Sequence, residues 1–168
     1  MMRTSYTRWL ILPFLLSAVR VASQIERPFK ELKLDSLEKA VAMHRKNDEA
    51  KLSLLNLLSS VYANVNFDKG IETGNQAIAL AQKLKKPLLL AEAYHYTAQN
   101  LSAKSEFEKA MELSDKALAI NQNQNNKYGI ALNNLCTGDI FRRKGNHKKA
   151  LEHFEKSLPP RRVGGHPR

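Results

Sequence analysis

The chain has 168 residues and a formal net charge of +11, from 27 basic and 16 acidic residues. The basic residues form no stripe interleaved with aromatic residues, so a nucleic-acid partner is not expected, whereas an acidic protein, an anionic lipid or a glycan would fit the charge. The single cysteine, Cys136, excludes an internal disulfide. We expect it to be a small core residue rather than a reactive thiol.

The chain begins with a pattern typical of a secretory signal peptide. Arg3 and Arg8 come without any acidic residue, an apolar run covers residues 9–19, and small residues precede the expected cut after Ser23. A run of 11 apolar residues falls short of the ~20 that a membrane-spanning helix needs. We therefore predict a cleaved signal peptide over residues 1–23 rather than a retained anchor. The mature protein would be secreted or periplasmic, with no stable membrane anchor.

Residues 24–46 are predicted to be a linker followed by a capping helix. The helix over residues 35–44 places Leu37, Ala40 and Val41 on one face. A helix with one apolar and one polar face is what a stacked helical array needs at its end.

One segment of 12 residues occurs three times, starting at Phe67, Phe107 and His147, so that the copies begin 40 residues apart. A fixed period of this size indicates stacked repeats rather than one globular core. In the central copy, small or apolar residues recur at i, i+3, i+4 and i+7, which predicts an amphipathic helix. Ser105 and Glu108 predict a capping box at the start of that helix.

Each of these helices follows another amphipathic segment after a very short link, which predicts an antiparallel hairpin. Pro87 suits a first helical position, so helices are predicted over residues 67–83 and 87–103. The tract at residues 121–126, NQNQNN, is predicted to be a solvated loop, and residues 159–168 a disordered tail. The predicted hairpins cover residues 47–85, 86–124 and 127–158 of an array over residues 47–158.

Short side chains occupy matching positions in the second helix of every hairpin, where two helices must approach closely. These positions are Gly70, Ala110 and Ala150, and again Ala77, Ala117 and Ser157. At this point the unit resembles the tetratricopeptide repeat (TPR). The third copy carries the resemblance with Gly138, Phe141, Gly145, Ala150, Phe154 and Leu158. The resemblance covers residues 50–158, and its 40-residue period is longer than the common ~34, as in arrays of bacterial sensor and regulator proteins.

The resemblance implies an all-α fold: a right-handed α-solenoid of antiparallel helix hairpins, with about three TPR-like repeats and an N-terminal capping helix. It also implies a concave groove lined by the first helix of each hairpin, which suits an extended peptide or a helix. The expected groove residues are Leu52, Leu55, Ser59, Tyr62, Glu92, His95, Gln99, Ser102, Leu132, Leu135, Asp139 and Arg142. Among them we expect His95, Gln99 and Arg142 to be polar contacts.

Relatives that hold a C-terminal carboxylate use a lysine and asparagine clamp, which the resemblance does not extend to this chain. Leu55, Ser59, Tyr96 and Leu132 stand at the corresponding places, so a ligand of that class is not expected.

We expect a non-enzymatic scaffold for protein–protein interaction, with a protein or peptide partner and no cofactor. Two alternatives remain open: the extracytoplasmic sensing part of a longer bacterial signalling protein, or a small extracytoplasmic enzyme that uses His95 and Asp139. The chain has no phosphate loop, nucleophile elbow or HExxH motif. No metal site is expected, because His147 and His153 are six residues apart and do not share a helical face.

The last hairpin ends without a following helix to cover Leu151, Phe154 and Leu158. Self-association through this face is a further option.

Overall fold

A computed structural model describes residues 33–158. All regular structure in this part is helical, with seven helices and no strand. The first, α1, is described from residue 33 to residue 43, and the others are α2 (Glu49–Tyr62), α3 (Phe67–Lys83), α4 (Pro87–Ala103), α5 (Phe107–Asn123), α6 (Lys127–Arg143) and α7 (His147–Ser157). The predicted signal peptide, the first part of the linker at residues 24–32 and the tail at residues 159–168 lie outside the described residues.

Contacts divide the chain into two units, Met1–Ala40 and Val41–Arg168. Helices α2 to α7 all belong to the second unit, and so does Val41, near the end of α1, which packs against the first apolar cluster of that unit. The helix predicted over residues 35–44 is therefore present, displaced by one or two residues at its ends.

Helices α3 to α7 begin at regular intervals, at residues 67, 87, 107, 127 and 147, so one helix and its connection occupy 20 residues. Helices α3 to α6 have 17 residues each, and three residues connect each to the next. The 40-residue period of the sequence is thus two such helices with their two connections. Compared with the commoner repeat length, the additional residues lengthen helices rather than loops.

The connections after α3, α4, α5 and α6 each turn through one residue in the left-handed region. These residues are Lys85 (φ 53°), Ser105 (φ 68°), Asn125 (φ 52°) and Gly145 (φ 78°). The next N–H then reaches back to a carbonyl inside the helix, as in the 3.0 Å bond from Lys86 N to Ala81 O. This Schellman arrangement satisfies carbonyls that a helix end leaves without partners.

The capping box predicted for Ser105 and Glu108 is wrong. Ser105 is the left-handed turn residue, and the N-cap of α5 is Glu106, whose side chain makes no capping bond. Pro87, by contrast, occupies the first turn of α4 as predicted. Side-chain caps occur at other helices, where Asp48, Asn66, Asn126 and Asn146 each accept a hydrogen bond from the N–H three residues further on.

The asparagine-rich tract at residues 121–126 is not the solvated loop that its composition predicts. Helix α5 continues to Asn123, and Asn121 is buried. The Asn121 amide donates to Asn133 Oδ1 over 2.7 Å, and its oxygen accepts from Asn126 Nδ2 over 2.8 Å. Because an asparagine amide both donates and accepts, these side chains fasten the end of α5 to α6.

Each helix from α2 onwards contacts the next, and α4 also contacts both α2 and α6, whereas α5 contacts neither α3 nor α7. Neighbouring helices run antiparallel: in the α3–α4 pair, Gly70 faces Asn100 and Gly74 faces Thr97. We call α2, α4 and α6 the central row, because these three alternate helices are in mutual succession. The predicted close approach through short side chains is confirmed at Ala77, Ala110 and Ala117, which are fully buried.

Two apolar clusters form the core of the second unit. The first joins Leu52, Leu55, Ala77, Leu80, Ala81 and Ala93 from α2, α3 and α4. The second joins Ala98, Leu101, Ala110, Cys136 and Ile140 from α4, α5 and α6. Cys136 is buried and free, as expected for a core residue, and burial raises the pKa of its thiol to about 12. It is therefore protonated at neutral pH.

Candidate functional site

A groove with a cavity volume of about 390 Å³ follows the central row. We call it the central groove. Its wall consists of Ser60, Ala63, Asn64, His95, Gln99, Ser102, Ala103, Leu132, Leu135, Cys136, Asp139 and Arg143. Six of these were predicted from the sequence: His95, Gln99, Ser102, Leu132, Leu135 and Asp139.

The four groove residues predicted on α2 are not in this wall. Leu52, Leu55 and Tyr62 are buried, the two leucines within the first apolar cluster, and buried Ser59 donates from Oγ to Gly70 O over 2.9 Å. Those predictions are wrong because α2 presents a different face: Ser60 and the residues just after the helix take part instead. A shift of one residue turns a helix by about 100°.

The connection after α2 explains this rotation. It has four residues, 63–66, rather than three, and none of them has a positive φ. The N–H groups of Val65 and Asn66 both bond to Tyr62 O, at 2.9 and 2.8 Å, so the chain leaves α2 in a tight turn without the Schellman arrangement.

At the other end of the groove, two arginines hold one carboxylate. Arg142 Nε donates to Asp139 Oδ1 over 3.0 Å, and Arg143 Nε donates to Asp139 Oδ2 over 2.7 Å. Although partial burial opposes it, these hydrogen bonds keep the pKa of Asp139 below its usual value. Arg143 lines the groove and Arg142 does not, so the predicted contact at Arg142 is wrong by one position.

His95 is the most deeply buried ionisable group of the groove. It is 8% exposed, and burial lowers its pKa to about 4, so the ring is neutral at neutral pH. Gln99 Nε2 lies 3.1 Å from His95 Nε2. The amide N–H thus donates to Nε2, which places the ring hydrogen on Nδ1. That Nδ1 is buried and has no hydrogen-bond partner in the described part of the chain.

Ser102 provides a second unpartnered polar atom in the same wall. It is 2% exposed, and its Oγ has no hydrogen-bond partner among residues 33–158. His95 and Ser102 are seven residues apart on α4, so their side chains lie on one face, about 10 Å apart along the helix. More than about 90% of buried polar groups in proteins have a partner. Two exceptions in one groove wall are a feature that a bound molecule would explain.

A smaller cavity of about 80 Å³ adjoins the groove, and the two share His95 and Leu132. We call it the α4–α6 pocket. It is lined by Ala91, Glu92, His95, Tyr96, Asn121, Asn126, Tyr128, Gly129, Leu132 and Asn133. Glu92, predicted as a groove residue, therefore lies in this neighbouring pocket rather than in the central groove.

Desolvation raises the pKa of Glu92, although the Asn56 amide, 3.4 Å from its carboxylate, acts in the opposite direction. Burial also raises the pKa of Tyr96, and the charges of Glu92 and Tyr128 add to this effect. The three side chains are therefore close enough to act on one another.

Neither a protein-family model nor a curated protein matches the sequence. Within residues 33–158, no helix has the length and apolar character needed to cross a membrane. The same residues bring together no group of three or more His, Cys, Asp or Glu side chains able to hold a metal ion.

Proposed function

We propose that the protein is a non-enzymatic scaffold that binds an extended segment of a protein partner in the central groove. The observation that carries this proposal is the pair of buried polar atoms without partners, His95 Nδ1 and Ser102 Oγ, in the groove wall. The predicted signal peptide would place this binding outside the cytoplasm.

The architecture that we propose is a right-handed solenoid of TPR-like hairpins, with α1 as the capping helix. Two observations support it. Helices recur every 20 residues with similar turns, and only the helices of the central row contact their second neighbours. Alternate helices come closest on the inner side of a curved stack, so the central groove would be its concave face.

The groove offers both kinds of contact that an extended segment needs. Leu132 and Leu135 provide apolar surface, and Leu135 is 45% exposed. The His95 Nδ1–H can donate to a backbone carbonyl, and the Ser102 hydroxyl can donate or accept. Every residue of a peptide carries one backbone donor or acceptor pair, so such a wall can bind a segment by its main chain as well as by side chains.

The same chemistry argues against an enzyme that uses His95 and Asp139. A general base works best when its pKa lies near the operating pH, and the pKa of His95 is about 4. Asp139 accepts hydrogen bonds from two arginines, which lowers its basicity further. We therefore favour binding over catalysis for this groove.

The experiment is selection of peptides from a random library displayed on phage, with the protein immobilised. Selected peptides are then titrated against the wild type and two variants, Leu135→Asp in the groove and Leu151→Asp on α7. The two leucines are matched, since they are 45% and 59% exposed on their helices. Circular dichroism verifies that both variants keep their helical content.

We expect Leu135→Asp to weaken peptide binding at least tenfold and Leu151→Asp to leave it within about twofold, because only the first introduces a charge into the groove. Peptides that bind both variants as well as the wild type would refute the groove assignment. An exhaustive selection that yields no binder would refute the proposed function itself.

A further inference from the structure

We propose that the α4–α6 pocket binds an alkylammonium group, the end of a lysine side chain carried by the partner segment. The inference rests on the proposed function, because the pocket adjoins the central groove at His95 and Leu132. A segment in the groove can therefore send one side chain into the pocket.

The walls of the pocket suit a cation. Two tyrosine rings, Tyr96 and Tyr128, and the carboxylate of Glu92 line the same small cavity. The faces of aromatic rings attract ammonium groups electrostatically, and a nearby carboxylate adds a direct charge interaction. Tyr128 is 74% exposed, so it stands at the rim, where an incoming side chain would meet it first.

Glu92 lacks the cationic partner that most carboxylates of this protein have. Lysine or arginine pairs with Glu49, Asp68, Glu106, Glu108, Glu112 and Asp139. No ion pair within residues 33–158 includes Glu92, and no lysine or arginine lines the pocket. Partial desolvation raises the pKa of Glu92, and a bound ammonium would reverse that effect. The chain carries a net charge of +11, so this local arrangement stands out from its surroundings.

Size restricts the ligand. A volume of about 80 Å³ corresponds to two or three water molecules at roughly 30 Å³ each. An ammonium group with its adjoining methylene fits such a space, whereas the planar guanidinium of arginine is larger. A metal ion is disfavoured because one carboxylate and one imidazole do not supply the ligand set that a cation site of that kind needs.

The test is an NMR titration of the full chain with Nα-acetyl-lysine methylamide at millimolar concentrations. Nα-acetyl-norleucine methylamide, which has a similar aliphatic chain and no ammonium group, is the matched control ligand. We expect the lysine compound to shift the backbone resonances of Glu92, Tyr96 and Tyr128, and the norleucine compound to leave them in place.

Two variants locate the effect. Glu92→Gln and Tyr128→Ala should each weaken the lysine compound about 2- to 5-fold, as expected for partly exposed ion pairs and cation–π contacts. The control variant is Glu72→Gln, since Glu72 is an exposed residue of α3 outside the pocket. It should bind like the wild type.

Equal shifts from the two compounds, or a Glu92→Gln variant that binds lysine as well as the wild type, would overturn the proposal. These outcomes are independent of the groove, because the titration uses no peptide. Selected peptides that depend on Leu135 while the lysine compound produces no shift would leave the proposed function intact and remove only the lysine pocket.

Discussion

The contact between Gly70 and Asn100 provides the sharpest test of how the helices pack. A Cβ added at Gly70 would lie 1.9 Å from Asn100 Oδ1 and 2.4 Å from its Cγ. Asn100 is fully buried, and its Nδ2 donates to Ser59 O over 2.9 Å and to Tyr96 O over 2.8 Å. Gly70→Ala must therefore push the amide away from the two carbonyls that hold it.

The size of the effect follows from three contributions. Alanine stabilises a helix interior by about 0.5–1 kcal/mol relative to glycine. Overfilling a packed contact costs about 1–3 kcal/mol, and each hydrogen bond lost by Asn100 costs about 0.5–1.5 kcal/mol. We expect Gly70→Ala to lower the free energy of unfolding by roughly 2–3 kcal/mol.

Urea unfolding followed by far-ultraviolet circular dichroism measures this change, and a double-mutant cycle assigns it. In an Asn100→Ala background the clash is absent, so Gly70→Ala should be neutral or stabilise the protein by up to about 1 kcal/mol. The reasoning is refuted if Gly70→Ala is as stable as the wild type. It is also refuted if the substitution costs the same in both backgrounds.

Three further predictions concern pH, caps and turns. Burial lowers the pKa of His95 to about 4, so below its unfolded pKa only the unfolded chain binds a proton; between pH 6.5 and 5 the protein should lose about 2 kcal/mol of stability, and His95→Gln should remove that loss in urea melts. Asn146→Ala deletes the cap bond to Lys149 N and should cost about 1 kcal/mol; an unchanged urea midpoint would contradict this. Lys85→Gly should raise the thermal midpoint and Gly145→Ala should lower it, each by about 1 kcal/mol, because both residues have positive φ; movement in the same direction would count against backbone strain.

The helices were largely predictable where two independent signals agreed. The repeat period fixed the start of α3 at Phe67, and Pro87 fixed the start of α4, so both helices were predicted with the bounds that the structure has. The all-helical class followed from the same pattern, since apolar residues recur with helical spacing through most of the chain.

Composition alone misled the prediction at residues 121–126. An asparagine-rich tract is typical of a loop, yet Asn121 meets Asn126 and Asn133, one beyond the next turn and one on the following helix. Such a network depends on tertiary packing, which local composition does not report. Ser105 failed similarly, because the backbone needed a left-handed turn residue where the sequence offered a capping hydroxyl.

The groove was predicted correctly on α4 and α6 except at Glu92 and Arg142, and incorrectly along α2. The rotation of α2 depends on a connection with one more residue than the others, which a fixed period cannot reveal. The missing partners of His95 Nδ1 and Ser102 Oγ were also beyond sequence reasoning, because they depend on which neighbouring atoms come within hydrogen-bond distance.

The 20-residue spacing of helix starts has a consequence for how such a protein can change length. Removing residues 87–126 would join Lys86 directly to the first residue of α6, and the link would still have three residues with Lys85 at its bend. Gain or loss of 40 codons therefore preserves every local backbone geometry, whereas a change of 20 would exchange an outer helix for one of the central row. The binding surface can lengthen or shorten during evolution only in whole pairs of helices, and the length of the partner segment would have to follow in the same steps.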